Sequence, residues 1–116
     1  MSLPKSISEA IENYPNETGL WREIILQLNK DLALAGISEI ELKIDTSPNE
    51  LVEGLHQIFS NLMHDKTSNF IQLLYRIDIQ EEDLKQMMLD SDFMEKLIYK
   101  ILERSFQKVY WRKKLG

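Results

Sequence analysis

The sequence has no cysteine among its 116 residues, and it contains only four glycines and three prolines. The lack of cysteine excludes disulfide bonds, thiolate metal ligands and a cysteine nucleophile. The scarcity of glycine and proline favours long helices over turn-rich β architecture. No apolar run approaches the ~20 residues that cross a bilayer, and the first residues lack the apolar core of a signal peptide. We therefore expect a cytoplasmic protein that does not associate with membranes.

The length and composition are those of one globular domain. A domain that spans residues 1–116 can bury roughly two-thirds of the surface that its chain exposes when unfolded. Its apolar fraction of 43% and charged fraction of 28% are typical of folded rather than disordered proteins. We predict a single helical domain that needs no covalent cross-link for stability.

The familiar catalytic motifs are missing. The sequence has no glycine-rich phosphate loop, no His-Glu-x-x-His and no Gly-x-Ser-x-Gly. Glu53 and His56 have the spacing used in di-iron carboxylate bundles, but such sites need a second Glu-x-x-His, and Asn61 stands three residues before His64. We therefore predict no enzyme activity, no metal or cofactor, and no small-molecule ligand.

Four segments have the chemistry of a helix start, in which a Ser or Asp side chain caps free amides and a glutamate three residues later bonds back. They are residues 6–9, 47–50, 78–81 and 92–95. Between them the apolar residues recur every three or four positions, as on one face of a helix. The patterns predict helices at about 6–14, 19–35, 48–64, 67–77 and 92–114, and a brief helix that follows the cap at Asp78 and is lined by Leu84, Met87 and Met88.

Together these segments predict an all-α bundle of five or six helices. The helix at 92–114 is the longest, and we expect it to pack centrally against the helices at 19–35 and 48–64. One segment differs, because Ile40, Leu42 and Ile44 alternate with charged residues, which is the pattern of a half-buried strand. A lone strand needs a hydrogen-bonding partner. The segment is therefore either an extended loop laid over the helices, an edge strand that pairs with its copy in a dimer, or part of a sheet with an unrecognised strand.

Charge is unevenly distributed. The net charge is −5, but the residues from Asp90 onward carry +3 and the preceding 89 carry −8. Lysine or arginine recurs at every fourth position from Lys96 to Arg112, so the cations wind around the last helix. We assign this helix a candidate basic binding face: Lys100, Arg104, Lys108, Trp111, Arg112, Lys113 and Lys114.

Three interpretations of this basic face are open. In the first, it is a solvated surface whose last cations are stabilised by the negative C-terminal end of the helix dipole. In the second, it contacts acidic residues of this chain or of a partner subunit. In the third, it binds a nucleic-acid backbone, with Tyr99 or Trp111 stacked on a base. The acidic total argues against nucleic acid, because most of the surface would repel it.

A second candidate surface is apolar. Leu84, Met87 and Met88, followed by Leu89, are more large apolar residues than one narrow face of a short helix buries, and methionine suits adaptable contacts. The candidate interface comprises Leu84, Met87, Met88, Ile40, Leu42 and Ile44.

The segment 73–79, followed by Glu81 and Glu82 and closed by residues 108–113, resembles a group of small bacterial helical proteins with no established activity. The likeness covers roughly the last 45 residues and implies a helical fold, but no function. Within it, Arg76 and Asp78 are close enough in sequence to form a local ion pair.

From these features we predict a non-enzymatic protein that interacts with other proteins and associates with itself as a homodimer. The alternative is a nucleic-acid accessory protein that binds through the basic face of the last helix.

Overall fold

A computed structural model describes residues 4–115, and within them the chain forms six α-helices, one 3-10 helix and no strand. The helices are α1 (Ile7–Glu12), α2 (Thr18–Leu34), α3 (Pro48–Asp65), α4 (Thr67–Ile77), α5 (Glu81–Met87) and α6 (Phe93–Leu115), with the 3-10 helix at Tyr14–Asn16. The predicted all-α bundle with a long C-terminal helix is confirmed. Residues 1–3 and 116 of the predicted domain lie outside the described residues.

Two of the predicted helix starts have the expected cap. The Ser6 hydroxyl accepts a hydrogen bond from the Glu9 amide at 3.1 Å, at the start of α1. At α3 the Ser47 hydroxyl accepts from the Glu50 amide at 3.4 Å and donates to the Glu50 carboxylate at 2.8 Å. The serine hydroxyls thus satisfy the Glu9 and Glu50 amides, which the first helical turn leaves without backbone partners. The last helix begins as predicted, directly after Asp92.

The cap predicted at Asp78 is wrong. Asp78 adopts a left-handed conformation with φ of 68° and ends α4, and α5 begins after Gln80, whose side chain makes no capping bond. The Ile79 amide reaches back to the Leu74 carbonyl at 3.0 Å, which closes the end of α4. The short polar side chain of aspartate tolerates this backbone conformation better than most residues do.

The end of α2 has the same geometry, built on glycine. Gly36 has φ of 83°, and the Ile37 amide bonds to the Leu32 carbonyl at 2.9 Å. A Cβ at Gly36 would lie 2.8 Å from Nδ2 of Asn69, which donates to the Ala35 carbonyl at 3.1 Å. Glycine is required here both by the backbone conformation and by the close approach of α4.

The core lies around α6, which contacts α1, α2, α3, α4 and α5. Its buried side chains face those of α2 and α3, as predicted from the apolar spacing. Trp21 is buried on α2, and its indole nitrogen donates to the Ala10 carbonyl at 2.9 Å, which ties α1 to the bundle. Between Pro4 and Leu115, no helix combines the length and the apolar content needed to cross a membrane.

Within the single chain, the alternating segment at 40–45 forms no strand: it is a loop that packs against the helices and turns at residues 44–45, which agrees with the first of the interpretations above. Its apolar residues are half-buried and its charged residues are exposed, as the alternation predicts. The side chain of Asn29 on α2 takes the place of a neighbouring strand. Its Oδ1 accepts from the Leu42 amide at 2.7 Å, and its Nδ2 donates to the Leu42 carbonyl at 2.9 Å.

Candidate interaction surfaces

The cations spaced four residues apart on α6 contact other parts of the same chain. Because the stripe winds around the helix, successive cations meet successive neighbours in the bundle. Their ion pairs are Lys96 with Asp90 and Asp92, Lys100 with Asp83 and Glu103, Arg104 with Asp78, and Lys108 with Asp31; Lys113 pairs with Glu23. We call the winding row of Lys96, Lys100, Arg104, Lys108 and Arg112 the charged side of α6.

These contacts correspond to the second interpretation of the basic face, in which α6 meets the acidic part of its own chain. Four of the partner carboxylates, on Glu23, Asp31, Asp78 and Asp83, belong to the first 89 residues, whose net charge is −8. The charge asymmetry of the sequence is therefore an attraction between the last helix and the helices that surround it.

Asp31 on α2 is the most buried member of this set, with its side chain 3% exposed. Its Oδ2 accepts from Nζ of Lys108 at 3.2 Å and from Nε2 of Gln27 at 3.1 Å. The Arg76 Nε lies 3.9 Å from Oδ1, and the Lys108 ammonium also donates to the Arg76 carbonyl at 2.8 Å. One carboxylate thus connects α2, α4 and α6. These several partners offset the free energy that is lost when the charge is removed from water.

The predicted local ion pair between Arg76 and Asp78 is wrong. Arg76 faces Asp31, and Asp78 accepts a hydrogen bond from Arg104 on α6. The left-handed turn at Asp78 ends α4 beside α6, so a cation of α6 reaches its carboxylate instead.

The residues of the predicted apolar interface differ in their exposure. Leu84 and Met87 of α5 are half-buried against the core, and so are Ile40, Leu42 and Ile44 of the loop. Met88 and Leu89, just after α5, project into solvent and are 64% and 87% exposed. We call these two residues the apolar tip. The predicted interface includes Met88 but not Leu89, although Leu89 is the more exposed of the two.

A groove lies between the start of α1 and the face of α6 that carries Tyr99, Phe106, Tyr110 and Trp111. It encloses about 400 Å³, and residues 5–8 form its opposite wall. We call it the aromatic groove. Tyr99 and Trp111 are exposed, whereas Phe106 is buried at its base.

The rings of the groove contact one another. The Tyr110 ring lies 5.7 Å from Phe106 and 5.6 Å from Trp111, the latter edge-on. Lys114 stands over Tyr110, with Nζ 5.8 Å from the ring centre. Of the predicted basic face, Trp111 therefore lines the groove and Lys114 stands over one of its rings, and neither belongs to the charged side of α6.

This groove is not among the features predicted from the sequence, because there Trp111 is assigned to the basic face, and Tyr99 and Trp111 are considered only as rings that stack on a base. The signal that could have found it is the spacing of Tyr99, Phe106 and Tyr110 by seven and then four residues, which places the three rings on one helical face.

The histidines lie on exposed positions of α3, together with Glu53. Within residues 4–115 there is no group of three or more histidine, cysteine, aspartate or glutamate side chains arranged to hold a metal ion.

Comparison of the chain with known protein families, with curated proteins and with solved structures finds no match, so the resemblance to small bacterial helical proteins stays a prediction.

Proposed function

We propose that this protein is a non-enzymatic interaction protein that works as a homodimer, in which the apolar tip of each protomer occupies the aromatic groove of the other. The observation that carries the proposal is that one molecule exposes both a prominent apolar tip and an aromatic-lined groove. We place the protein in the cytoplasm, where the dimer would present its helical surfaces to further protein partners.

The two surfaces are chemically complementary. Met88 and Leu89 are large, flexible and apolar, and they are the kind of side chains that fill an irregular aromatic pocket. Thioether sulfur makes favourable contacts with aromatic rings, and tyrosine and tryptophan are the residues most often found at the energetic centre of interfaces. Burying Leu89 fully would contribute ~2 kcal/mol at each of the two contacts.

A two-fold axis would use both surfaces on both protomers. In such a dimer, the tip of the first protomer contacts the groove of the second, and the same contact recurs in reverse. The tip precedes the first turn of α6 and the groove begins at Tyr99 within the same helix, so antiparallel α6 helices would bring each tip toward the opposing groove.

Charge supports the same pairing. The segment 81–92 around the tip has a net charge of −2 once Lys96 and Lys100, which pair with it, are counted. Lys5 and Glu103 line the groove, Glu103 pairs with Lys100, and Lys114 stands over one of the rings. The acidic surroundings of the tip therefore approach a rim with a small positive excess, which favours correct orientation of the two protomers.

Sedimentation velocity over a range of ~1 to ~100 μM tests the proposal, because self-association depends on concentration by mass action. We expect the wild type to sediment as a dimer at the upper end of the range, and L89S and W111S to remain monomeric there. Leu34→Ser is the matched control, since Leu34 is also an exposed leucine but lies at the end of α2.

Mixing the two variants sharpens the test. L89S retains an intact groove and W111S retains an intact tip, so an equimolar mixture can form one of the two contacts. We expect the mixture to associate measurably, although each variant alone does not. A wild type that is monomeric throughout contradicts the proposal, as does a dimer that neither substitution weakens.

A further inference from the structure

Three cationic side chains surround the buried carboxylate of Asp31. Lys108 and Arg76 lie 3.2 and 3.9 Å from its oxygens. Arg112 joins through Gln27, whose Oε1 accepts from Nη1 of the arginine at 3.0 Å and whose Nε2 donates to Asp31 at 3.1 Å. We call Arg76, Lys108 and Arg112 the cationic cluster.

This cluster has more positive charge than its surroundings neutralise. The acidic neighbours are committed elsewhere, since Glu23 pairs with Lys113 and Asp78 with Arg104. The sequence of α4, from Thr67 to Ile77, contains no acidic residue. Within residues 4–115, Arg112 has no carboxylate partner within ion-pair distance, so three cations share Asp31 and a surplus of two positive charges remains.

The surplus is accessible from solvent. The side chains of Arg76 and Lys108 are 43% and 32% exposed, and Arg112 is exposed. Lys108 and Arg112 are four residues apart on α6 and therefore share one face of the helix. Asp31 and Gln27 hold the inner ends of the cluster, which leaves the outer guanidinium nitrogens able to donate to a ligand.

We propose that the cationic cluster binds the dianionic phosphate of a phosphate monoester. A monoester phosphate carries a charge of about −1.5 to −2 at neutral pH, which matches the surplus of the cluster. Guanidinium groups pair with phosphate oxygens in a two-pronged geometry, and lysine adds a compact positive charge. Two arginines and one lysine are thus a suitable set of donors for one tetrahedral dianion.

The charge match separates this ligand from two others. A carboxylate or a phosphodiester carries a single negative charge and would leave half of the surplus uncompensated. A nucleic-acid strand presents only diesters along its length, and it would also meet a protein whose net charge is −5. A terminal monoester phosphate, whether on a small molecule or on a phosphorylated side chain, fits the cluster better.

Titration of the full-length protein with methyl phosphate and with dimethyl phosphate tests the charge match, with binding followed by isothermal calorimetry and by the side-chain NMR signals of the arginines. We expect saturable binding of the monoester and at least ~10-fold weaker binding of the diester, equivalent to ~1.4 kcal/mol. Inorganic phosphate and a short phosphoserine peptide, run in parallel, show whether the ester group adds affinity.

Substitutions assign the site. R76Q and R112Q are each expected to weaken methyl phosphate binding by at least ~10-fold. Lys85→Gln removes an exposed cation on α5 and is expected to leave binding unchanged. Arg112→Lys keeps the charge without the two-pronged geometry and should fall between wild type and R112Q.

Far-ultraviolet circular dichroism confirms that each variant is folded before binding is compared. Absence of saturable binding below ~10 mM methyl phosphate, equal affinity for the diester, or binding that survives both glutamine substitutions would overturn the proposal.

Discussion

The charged side and the aromatic face of α6 differ in what completes them. Along the charged side, the cations meet partners on α2, on the turn after α4 and around α5, all within the same chain. On the aromatic face, Tyr99 and Trp111 flank a groove that the chain leaves open. One helix thus has a row of cations held by contacts within the chain, of which Lys108 and Arg112 keep donors exposed, and a row of rings available to a second molecule.

The row of cations is the more conspicuous feature of the sequence, and it is held mainly by contacts within the chain. A regular row of cations attracts the acidic helices of its own chain. Because one partner, Asp31, is buried, loss of its ion pair with Lys108 would destabilise the fold. The uncharged rings of the aromatic face are not drawn to the acidic helices in this way. Those that the core does not cover, Tyr99 and Trp111, remain exposed. We therefore expect loss of the carboxylates that hold the charged side to affect stability, and changes on the aromatic face to affect assembly.

Asp31→Ala provides the largest contrast. Removing the buried carboxylate leaves the Lys108 ammonium and the Gln27 amide without their shared acceptor. Breaking a fully buried pair costs ~3–5 kcal/mol, and because Lys108 is partly exposed we expect a loss of ~2–3 kcal/mol in the free energy of unfolding. Urea denaturation followed by circular dichroism, at concentrations low enough to keep the protein monomeric, measures it.

Two other substitutions serve as its controls. Glu23→Ala breaks the half-exposed pair with Lys113 and should cost less than ~1 kcal/mol. Trp111→Ser on the aromatic face should change the stability of the monomer by less than ~0.5 kcal/mol. If Asp31→Ala costs no more than Glu23→Ala, burial of the carboxylate does not distinguish the charged side.

Asp78 separates the contribution of charge from that of backbone conformation. Asp78→Ala loses the partner of Arg104 and keeps a Cβ in the left-handed conformation, so we expect a cost of ~1–2 kcal/mol. Asp78→Gly loses the same ion pair but relieves the backbone, as glycine does at the end of α2, and its stability should remain within ~0.5 kcal/mol of the wild type. The urea midpoints of the two variants test this difference. If they coincide, the left-handed turn contributes no strain, and the ion pair alone accounts for the role of Asp78.

Most of the fold could be predicted from the sequence, because local patterns determine helices. Apolar spacing places the six helices, and the Ser6 and Ser47 caps begin α1 and α3 as expected. The error at Asp78 arose because the same short polar residue suits both a helix start and a left-handed helix end. Only the tertiary contact with Arg104 and the bond from Ile79 to Leu74 select the second role.

The candidate surfaces could be predicted only in part, because exposure depends on contacts far apart in sequence. The loop at 40–45 shows this, since its alternation predicts the pattern of burial but not that Asn29, 13 residues before Leu42, supplies the missing partner. The ion pair of Lys108 with Asp31 spans 77 residues. The aromatic groove needs both α6 and the start of α1, so neither segment reveals it alone.

The smallest expected effect on the charged side is a pH dependence at Lys96. The Asp90 carboxylate accepts a hydrogen bond from the Lys96 ammonium at 2.6 Å and, together with Asp92, raises the pKa of that lysine. Because the pKa of Lys96 is raised in the folded state, its ion pairs stabilise the fold at pH values below the ordinary pKa of lysine. This contribution disappears as the pH rises through the raised pKa. Asp90→Asn should therefore return the pKa of Lys96 toward its ordinary value, and Asp92→Asn should lower it less, because Asp92 lies farther away at 3.6 Å. Carbon-13 NMR titration of the lysine side chains between neutral and alkaline pH measures both shifts, and equal shifts in the two variants would show that the Asp90 hydrogen bond is not the main cause.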